Sequence, residues 1–492
     1  KQLREQSINV DFGDLDLSGN NQFFLWHTWF YDVFSQGGFD IVIGNPPYIG
    51  EKGHMDLFRK TRQDSKMNEY YLGKMDYFYF FFHLAINMLS KGGQCSFITT
   101  NYYPTADGAK NLRLDFKKRT SLRILLHLGN LRLFDGAPGQ HNMITFLQKG
   151  VDDRIPCMSM EVHRNGALCP KVFNLIVSGK DSETEYYFIE QSRLYDGEDC
   201  YIRIRQAKEG SPIDKILDKI RNGKSILKDI CNVNQGILTG ADKISQKHIN
   251  EYHYNYPKGY GVYSLTEMEV ESHQIERDYV KVLYKNSNVK RYFCSQNSDE
   301  RIIYFSRSTD ESLIPNIIKH LSPFKSMLEN RREVSTGRLR WFDLWWPRDK
   351  SIFMSEKIVC PQRSNTNTFG YTESSWFATS DVFFITKPNS NYLLKYILAI
   401  LNSKLIYFWL YNRGKRKGET LELTATPISL IPIAKSKKEE QLKYIRIVDQ
   451  ILAAKKENML EDTSALESEI DRFVYQLYGL TEEEIRIVEG KE

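Results

Sequence analysis

Asn45, Pro46, Pro47 and Tyr48 follow a short apolar run, Phe39 to Gly44, that reads FDIVIG. Proline fixes φ and carries no amide hydrogen, so two in succession make a stiff turn whose carbonyl oxygens face outward without competing donors. Asn45 adds a side-chain carbonyl, and Tyr48 adds a flat aromatic face. Acceptors beside a stacking platform suit a planar heterocycle with an exocyclic amino group, such as an adenine lifted out of a duplex. The lone pair of that amine is delocalised into its ring. Two acceptors engaging both N–H bonds favour a more tetrahedral nitrogen, able to attack an electrophilic methyl group. The plain alternative is a turn that only ends a strand.

The surrounding pattern says what must hold such a turn. FDIVIG predicts a buried strand, Tyr77 to Leu89 a helix, Lys91 to Gly93 a turn, and Cys95 to Thr100 a second strand. A helical stretch from Ala109 to Arg119 comes next, then strands over Leu122 to Leu128 and Met143 to Gln148. Strands alternating with helices predict a mostly parallel sheet covered on both faces, with ligands bound beyond the carboxyl ends of its strands. The four-residue turn lies at such an end. From Ile226 to Ile433 short β-rich runs and turn residues predict an α+β domain, and after Pro432 helical spacing takes over, with Asp462 or Thr463 as a cap.

FDIVIGNPPY resembles the fourth motif of the adenine-N6 DNA methyltransferases, and the residues downstream of it agree with their gamma-type order. DYFYFF, Asp76 to Phe81, is similar to the fifth motif, which opens a helix. The resemblance implies S-adenosylmethionine as cofactor, with Asn45, Asp76 and Phe81 in its site and Phe81 against its adenine ring. It also implies that Phe134, in LFDGAPGQHNMITFL, packs on the flipped base opposite Tyr48. Helix core for Phe81 and hairpin core for Phe134 are the alternatives.

NQGILTGADK, VLYKNSNVKRY, LRWFDLWWPR, EKIVCPQRS, SDVFFIT and KYILAILNSKLIYFWL, in that order, resemble the target-recognition domain of TaqI-like methyltransferases. The set is similar to the Type IIG, or Eco57I-like, restriction-modification proteins, in which one polypeptide methylates and cleaves. It implies an α/β fold: an incomplete Rossmann-like class I methyltransferase sheet in residues 1–210, an α+β specificity domain in 211–435 and a helical segment in 436–492. Residues 1–38 offer no room for the glycine loop and ribose-binding acid that the family carries upstream, and GDLDLSGNN reads as a loop. The expected partner there is the remainder of the same polypeptide N-terminal to Lys1. Magnesium is expected only for an upstream nuclease module, since no nuclease motif is visible, and no metal site is expected in these residues.

Composition narrows the rest. A net charge of +5 leaves DNA binding to local clusters: Arg113, Lys117, Lys118, Arg119 and Arg123, and Arg413, Lys415, Arg416 and Lys417. The latter, in RGKRKG, reads as a flexible loop for phosphates, and Arg340 and Arg348 sit in a tryptophan-rich stretch suited to guanine readout. Seven scattered cysteines without a C-x-x-C pair predict reduced thiols in a bacterial cytoplasm, and no run predicts a membrane span. Two other readings stay open: a catalytically silent DNA-binding fragment lacking the cofactor loop, and an RNA or protein amino-group methyltransferase.

Overall fold

The computed structural model describes residues 26–134, 141–204, 212–389, 391–417 and 420–490. The loop expected at GDLDLSGNN and all of GAPGQ lie outside them. The chain forms two compact units, Lys1–Lys208 and Glu209–Glu492.

The first unit is built on a six-stranded sheet. Its members are β1 (Phe39–Gly44), β2 (Leu89–Thr100), β3 (Thr120–His127), β4 (Asn142–Lys149), β5 (Cys157–Val162) and β6 (Thr184–Ile189), in the order β1-β2-β4-β3-β5-β6. β1 pairs parallel with β2 and β3 with β5, whereas β4 and β6 run antiparallel to their neighbours. The sheet is therefore mixed, not mostly parallel by neighbour pairs, because β4 turns back from β3 to fill the place between β2 and β3 and β6 turns back along β5. Four strands, β1, β2, β3 and β5, still share one direction, so their carboxyl ends lie along one edge.

The expected Lys91–Gly93 turn is instead part of β2. Phe39 pairs with Leu89 but Ile41 already pairs with Gln94, so the glycines are absorbed as a bulge. Gly93 is required there because a Cβ would lie 2.8 Å from the Phe39 carbonyl oxygen.

Helix α1 (Phe78–Met88) and helix α2 (Lys110–Arg119) cover the sheet, burying Phe78, Phe82, Ile86, Leu112 and Phe116 in one core with Phe97 and Leu125. Much of the first basic cluster is spent on this packing. Arg113 is fully buried, donating to the carbonyls of Tyr103 at 2.8 Å, Ala106 at 2.6 Å and Asp199 at 3.0 Å. Arg119 is bidentate to Asp115, which also holds His83 Nδ1 at 2.6 Å, and Arg123 bonds Gln148.

The second unit carries a five-stranded sheet of β7 (Asn232–Gln235), β8 (Tyr292–Phe293), β9 (Lys357–Pro361), β11 (Gly370–Thr372) and β12 (Val382–Thr386), ordered β7-β12-β9-β11-β8. A three-stranded sheet has the order β10 (Arg363–Ser364), β14 (Thr420–Glu422), β13 (Arg416–Lys417). A four-stranded sheet joins Ser264–Thr266, Glu300–Ile303, Val280–Tyr284 and Phe377–Ala378. Helices α3 (Leu394–Leu401), α4 (Lys404–Arg413), α5 (Lys438–Glu457) and α6 (Ser464–Tyr478) share a single core with the five-stranded sheet. The terminal helices are thus integral to this unit: Ile447, Val448, Ile470 and Val474 pack with Ile397 and Ile400.

Candidate functional site

The Asn-Pro-Pro-Tyr turn leaves the carboxyl end of β1 with Asn45 and Pro47 exposed, Pro46 buried and Tyr48 half-buried. Immediately after it, the Ile49 carbonyl accepts from the Tyr77 amide at 2.8 Å and the Glu51 amide donates to the Met75 carbonyl at 2.9 Å. This short antiparallel bridge, centred on Gly50 and Asp76, lays the start of α1 against the turn. A Cβ on Gly50 would stand 3.6 Å from Asp76 Oδ1, so that carboxylate rests directly over the backbone. Burial raises the Asp76 pKa, while a hydrogen bond from Tyr79 works against the rise.

Tyr48 points inward. Its hydroxyl lies 2.7 Å from Asn45 Oδ1 and 3.0 Å from the Ile98 carbonyl of β2, and its ring meets Phe78 edge-on at 6.3 Å. Burial pushes its phenol up to about 12, against a lowering contact with Asn142, so it remains a donor at neutral pH. Phe81 is half-buried and edge-on to Tyr77 at 5.8 Å. Phe134, also half-buried, follows β3 in the chain, in the connection from its carboxyl end to β4. Sequence reading missed Asn142 and Glu51, the latter receiving the Tyr71 hydroxyl while Arg62 lies 3.9 Å over the Tyr71 ring. Neither has a sequence signal, because each acts through a strand or loop distant in the chain.

Among the described residues only β2 pairs with β1, and Ile41 and Ile43, on one face, are 66% and 75% exposed. Further along the carboxyl edge, Glu161, His163 and Glu185 bring potential metal-ligand atoms within 4.8 Å of one another. His163 Nε2 is 3.4 Å from Glu185, which also accepts from Tyr187, so these groups already satisfy one another in part.

In the second unit, LRWFDLWWPR is tied to NQGILTG: Leu238 and Trp346 exchange backbone hydrogen bonds of 3.0 and 2.7 Å. Gly236 is required because a Cβ would meet the Thr379 carbonyl oxygen at 2.2 Å. Arg340 is occupied internally, bonding Asp343 at 2.7 Å and the Thr309 and Arg307 carbonyls. Arg348, at φ 64°, donates to the Gly236 carbonyl at 3.2 Å and lies 5.5 Å over Trp346, which is 53% exposed. RGKRKG is not a flexible loop in its described part. Arg413 ends α4 and pairs with Asp214 at 3.6 Å, both nearly buried, while Arg416 and Lys417 form β13. Lys415 pairs with Glu422 at 3.2 Å, and the Arg416 guanidinium stacks 3.8 Å over Tyr411.

Comparison with known proteins matches this division. Residues 1–134 match the Eco57I restriction-modification methylase family, and residues 219–433 match the TaqI-like C-terminal specificity domain. The chain joins an Eco57I-like methylase region to a TaqI-like specificity domain. Its curated relatives include the Type II methyltransferase M.HindII of Haemophilus influenzae, 23% identical over 431 residues, covering 83% of this chain and 77% of the relative. M.BanIII of Aneurinibacillus aneurinilyticus is 22% identical over 519 residues, covering 96% and 84%. The solved Type IIL restriction-modification enzyme MmeI, in complex with DNA, superposes with a TM-score of 0.57 at 14% identity over 91% of this chain. The chain spans 56% of the MmeI chain. The methylase region therefore contains the Asn-Pro-Pro-Tyr turn, and the specificity domain contains the Trp346 surface and the RGKRKG hairpin.

Proposed function

We propose that the polypeptide carrying these residues is a site-specific adenine-N6 DNA methyltransferase of a restriction-modification system, acting in the bacterial cytoplasm on a base flipped out of double-stranded DNA. One observation carries this reading: Asn45 presents an exposed side chain at the end of β1, beside two prolines that contribute no amide donors. Asn45 Oδ1 has two lone pairs, so it accepts one N–H of the target amine while still accepting from Tyr48. The Tyr48 hydroxyl thereby orients the amide, and the Pro46 carbonyl takes the second N–H. The ring of Tyr48 and that of Phe134 flank the base.

S-adenosylmethionine supplies the electrophilic methyl group when bound. Asp76 fits one flank of its site, because the Gly50–Asp76 bridge sets it beside the turn, and Phe81 would join it from the first turns of α1. Among the described residues β1 pairs on one edge alone and exposes Ile41 and Ile43, which fits a further layer completing the other flank. Asn45→Ala in the intact polypeptide is expected to reduce methyl transfer at least 100-fold with duplex affinity within about threefold. Unchanged transfer would remove Asn45 from the site.

The same pairing of β1 also favours a second reading for residues 1–492 taken alone, as a DNA-binding unit that does not retain the cofactor. Calorimetric titration with S-adenosylmethionine separates the two: micromolar or tighter binding shows that the residues present suffice.

A further inference from the structure

The specificity domain holds a polar groove of about 390 Å³ beside the three-stranded sheet, lined in part by Ser287, Lys290, Arg363, Ser364 and Thr368. Its chemistry is that of an anion site. Hydroxyls of Ser364 and Thr368 lie 2.8 Å apart, and Thr366 joins Thr368 at 3.2 Å, giving a cluster of rotatable donors. Above it, one carboxylate serves two cations: Glu422 is 3.3 Å from Arg363 and 3.2 Å from Lys415. Arg416, stacked on Tyr411, adds another positive charge one strand away. Lys290 is exposed at the groove wall. Lys290, Arg363 and Lys415 outnumber the Glu422 carboxylate they gather around, a local excess of positive charge among these groups, although the whole chain carries only +5.

We propose that this groove, with β10, β13 and β14, docks the sugar-phosphate backbone of double-stranded DNA. Lys290 and Arg363 contact phosphates directly, and the Ser and Thr hydroxyls bond phosphate oxygens. The inference rests on the reading of this chain as a DNA methyltransferase, and adds which surface sets the register of the duplex. It assigns no base readout here: hydroxyls and flexible cations position DNA, whereas sequence is read at base edges. The ion pairs to Glu422 hold Arg363 and Lys415 in place while leaving Arg363 more than half exposed.

The test is a salt series. The affinity of residues 1–492 for a mixed-sequence duplex is measured between 0.05 and 0.3 M salt for the unaltered chain, K290A, R363A and the double variant. Each lost phosphate contact lowers the slope of log K against log salt by roughly 0.9, and lowers affinity at 0.1 M salt roughly eightfold. The double variant is therefore expected to lose about two units of slope, with an unchanged circular dichroism spectrum and melting midpoint. R363Q, which keeps a hydrogen-bonding side chain without the charge, is expected to match R363A. Strong DNA binding with slopes unchanged in all variants overturns the groove as a docking site but leaves the methyltransferase reading intact. Failure of the unaltered chain to bind duplex overturns both.

Discussion

The Tyr48 hydroxyl lies 2.7 Å from Asn45 Oδ1, three residues away and across a turn of two prolines. A stiff turn makes that short reach possible, and the contact fixes which end of the Asn45 amide faces outward. Tyr48→Phe keeps the ring and removes the contact. Turnover in the intact polypeptide is expected to fall about fivefold to tenfold, with KM for DNA within about twofold, corresponding to one hydrogen bond. Tyr48→Ala, which also removes the ring, is expected to cost at least 100-fold. Equal losses in the two variants would assign the whole effect to the hydroxyl.

Arg113 is a structural cation. It is fully buried, bonded to three backbone carbonyls and stacked 4.7 Å from the Tyr201 ring. Arg113→Met leaves those carbonyls without a donor and is expected to destabilise the first unit by about 3 kcal/mol. A urea titration followed by circular dichroism checks this, with a midpoint within error of the unaltered chain as the contrary result.

Arg413 and Arg363 are expected to separate cleanly. Arg413 is only 10% exposed and pairs with Asp214, itself 6% exposed. Arg413→Met removes that nearly buried ion pair and is expected to cost about 3 kcal/mol of stability while leaving the salt slope of DNA binding unchanged. A slope reduced by about one unit would put Arg413 on the DNA instead.

Glu300 makes the specificity domain acid-sensitive. Burial alone would raise its pKa, but Lys243, Lys285 and Ser264 outweigh it and hold the carboxyl at about 2. A depressed folded pKa contributes stability that is present above the unfolded value of about 4.5 and is lost as pH falls from there towards 2. After allowance for solvent screening the contribution is about 1 kcal/mol. Glu300→Gln is expected to flatten the fall in melting midpoint between pH 5 and 2.5, and an identical fall in both proteins would remove Glu300 as a source.

The sequence was most legible where local chemistry and periodicity agree. FDIVIG is succeeded at once by a turn whose prolines cannot continue a strand, and β1 does end at Gly44, but it is not the buried strand expected, since none of its six residues is buried. The Phe-rich helix was similarly plain, since eight of its eleven residues are buried. What could not be read locally depended on distant partners. The glycines of Leu89–Thr100 look like a turn until the Phe39 carbonyl is placed against Gly93. The reversed directions of β4 and β6 arise from pairing, not from strand composition. The arginines misled for the same reason: Arg113, Arg340 and Arg413 carry a charge in any reading, and only the fold shows that carbonyls or carboxylates already occupy them.

The nucleophile proposed for Asn45 and Pro46 is an adenine amino group. That assignment is tested most directly by incubating the intact polypeptide with duplex DNA and methyl-labelled S-adenosylmethionine, then digesting to nucleosides and identifying the labelled species by mass spectrometry. Label is expected in N6-methyladenine alone, and its loss is expected with Asn45→Ala. Label in a methylated cytosine, or on RNA or protein and not on DNA, would contradict the assignment.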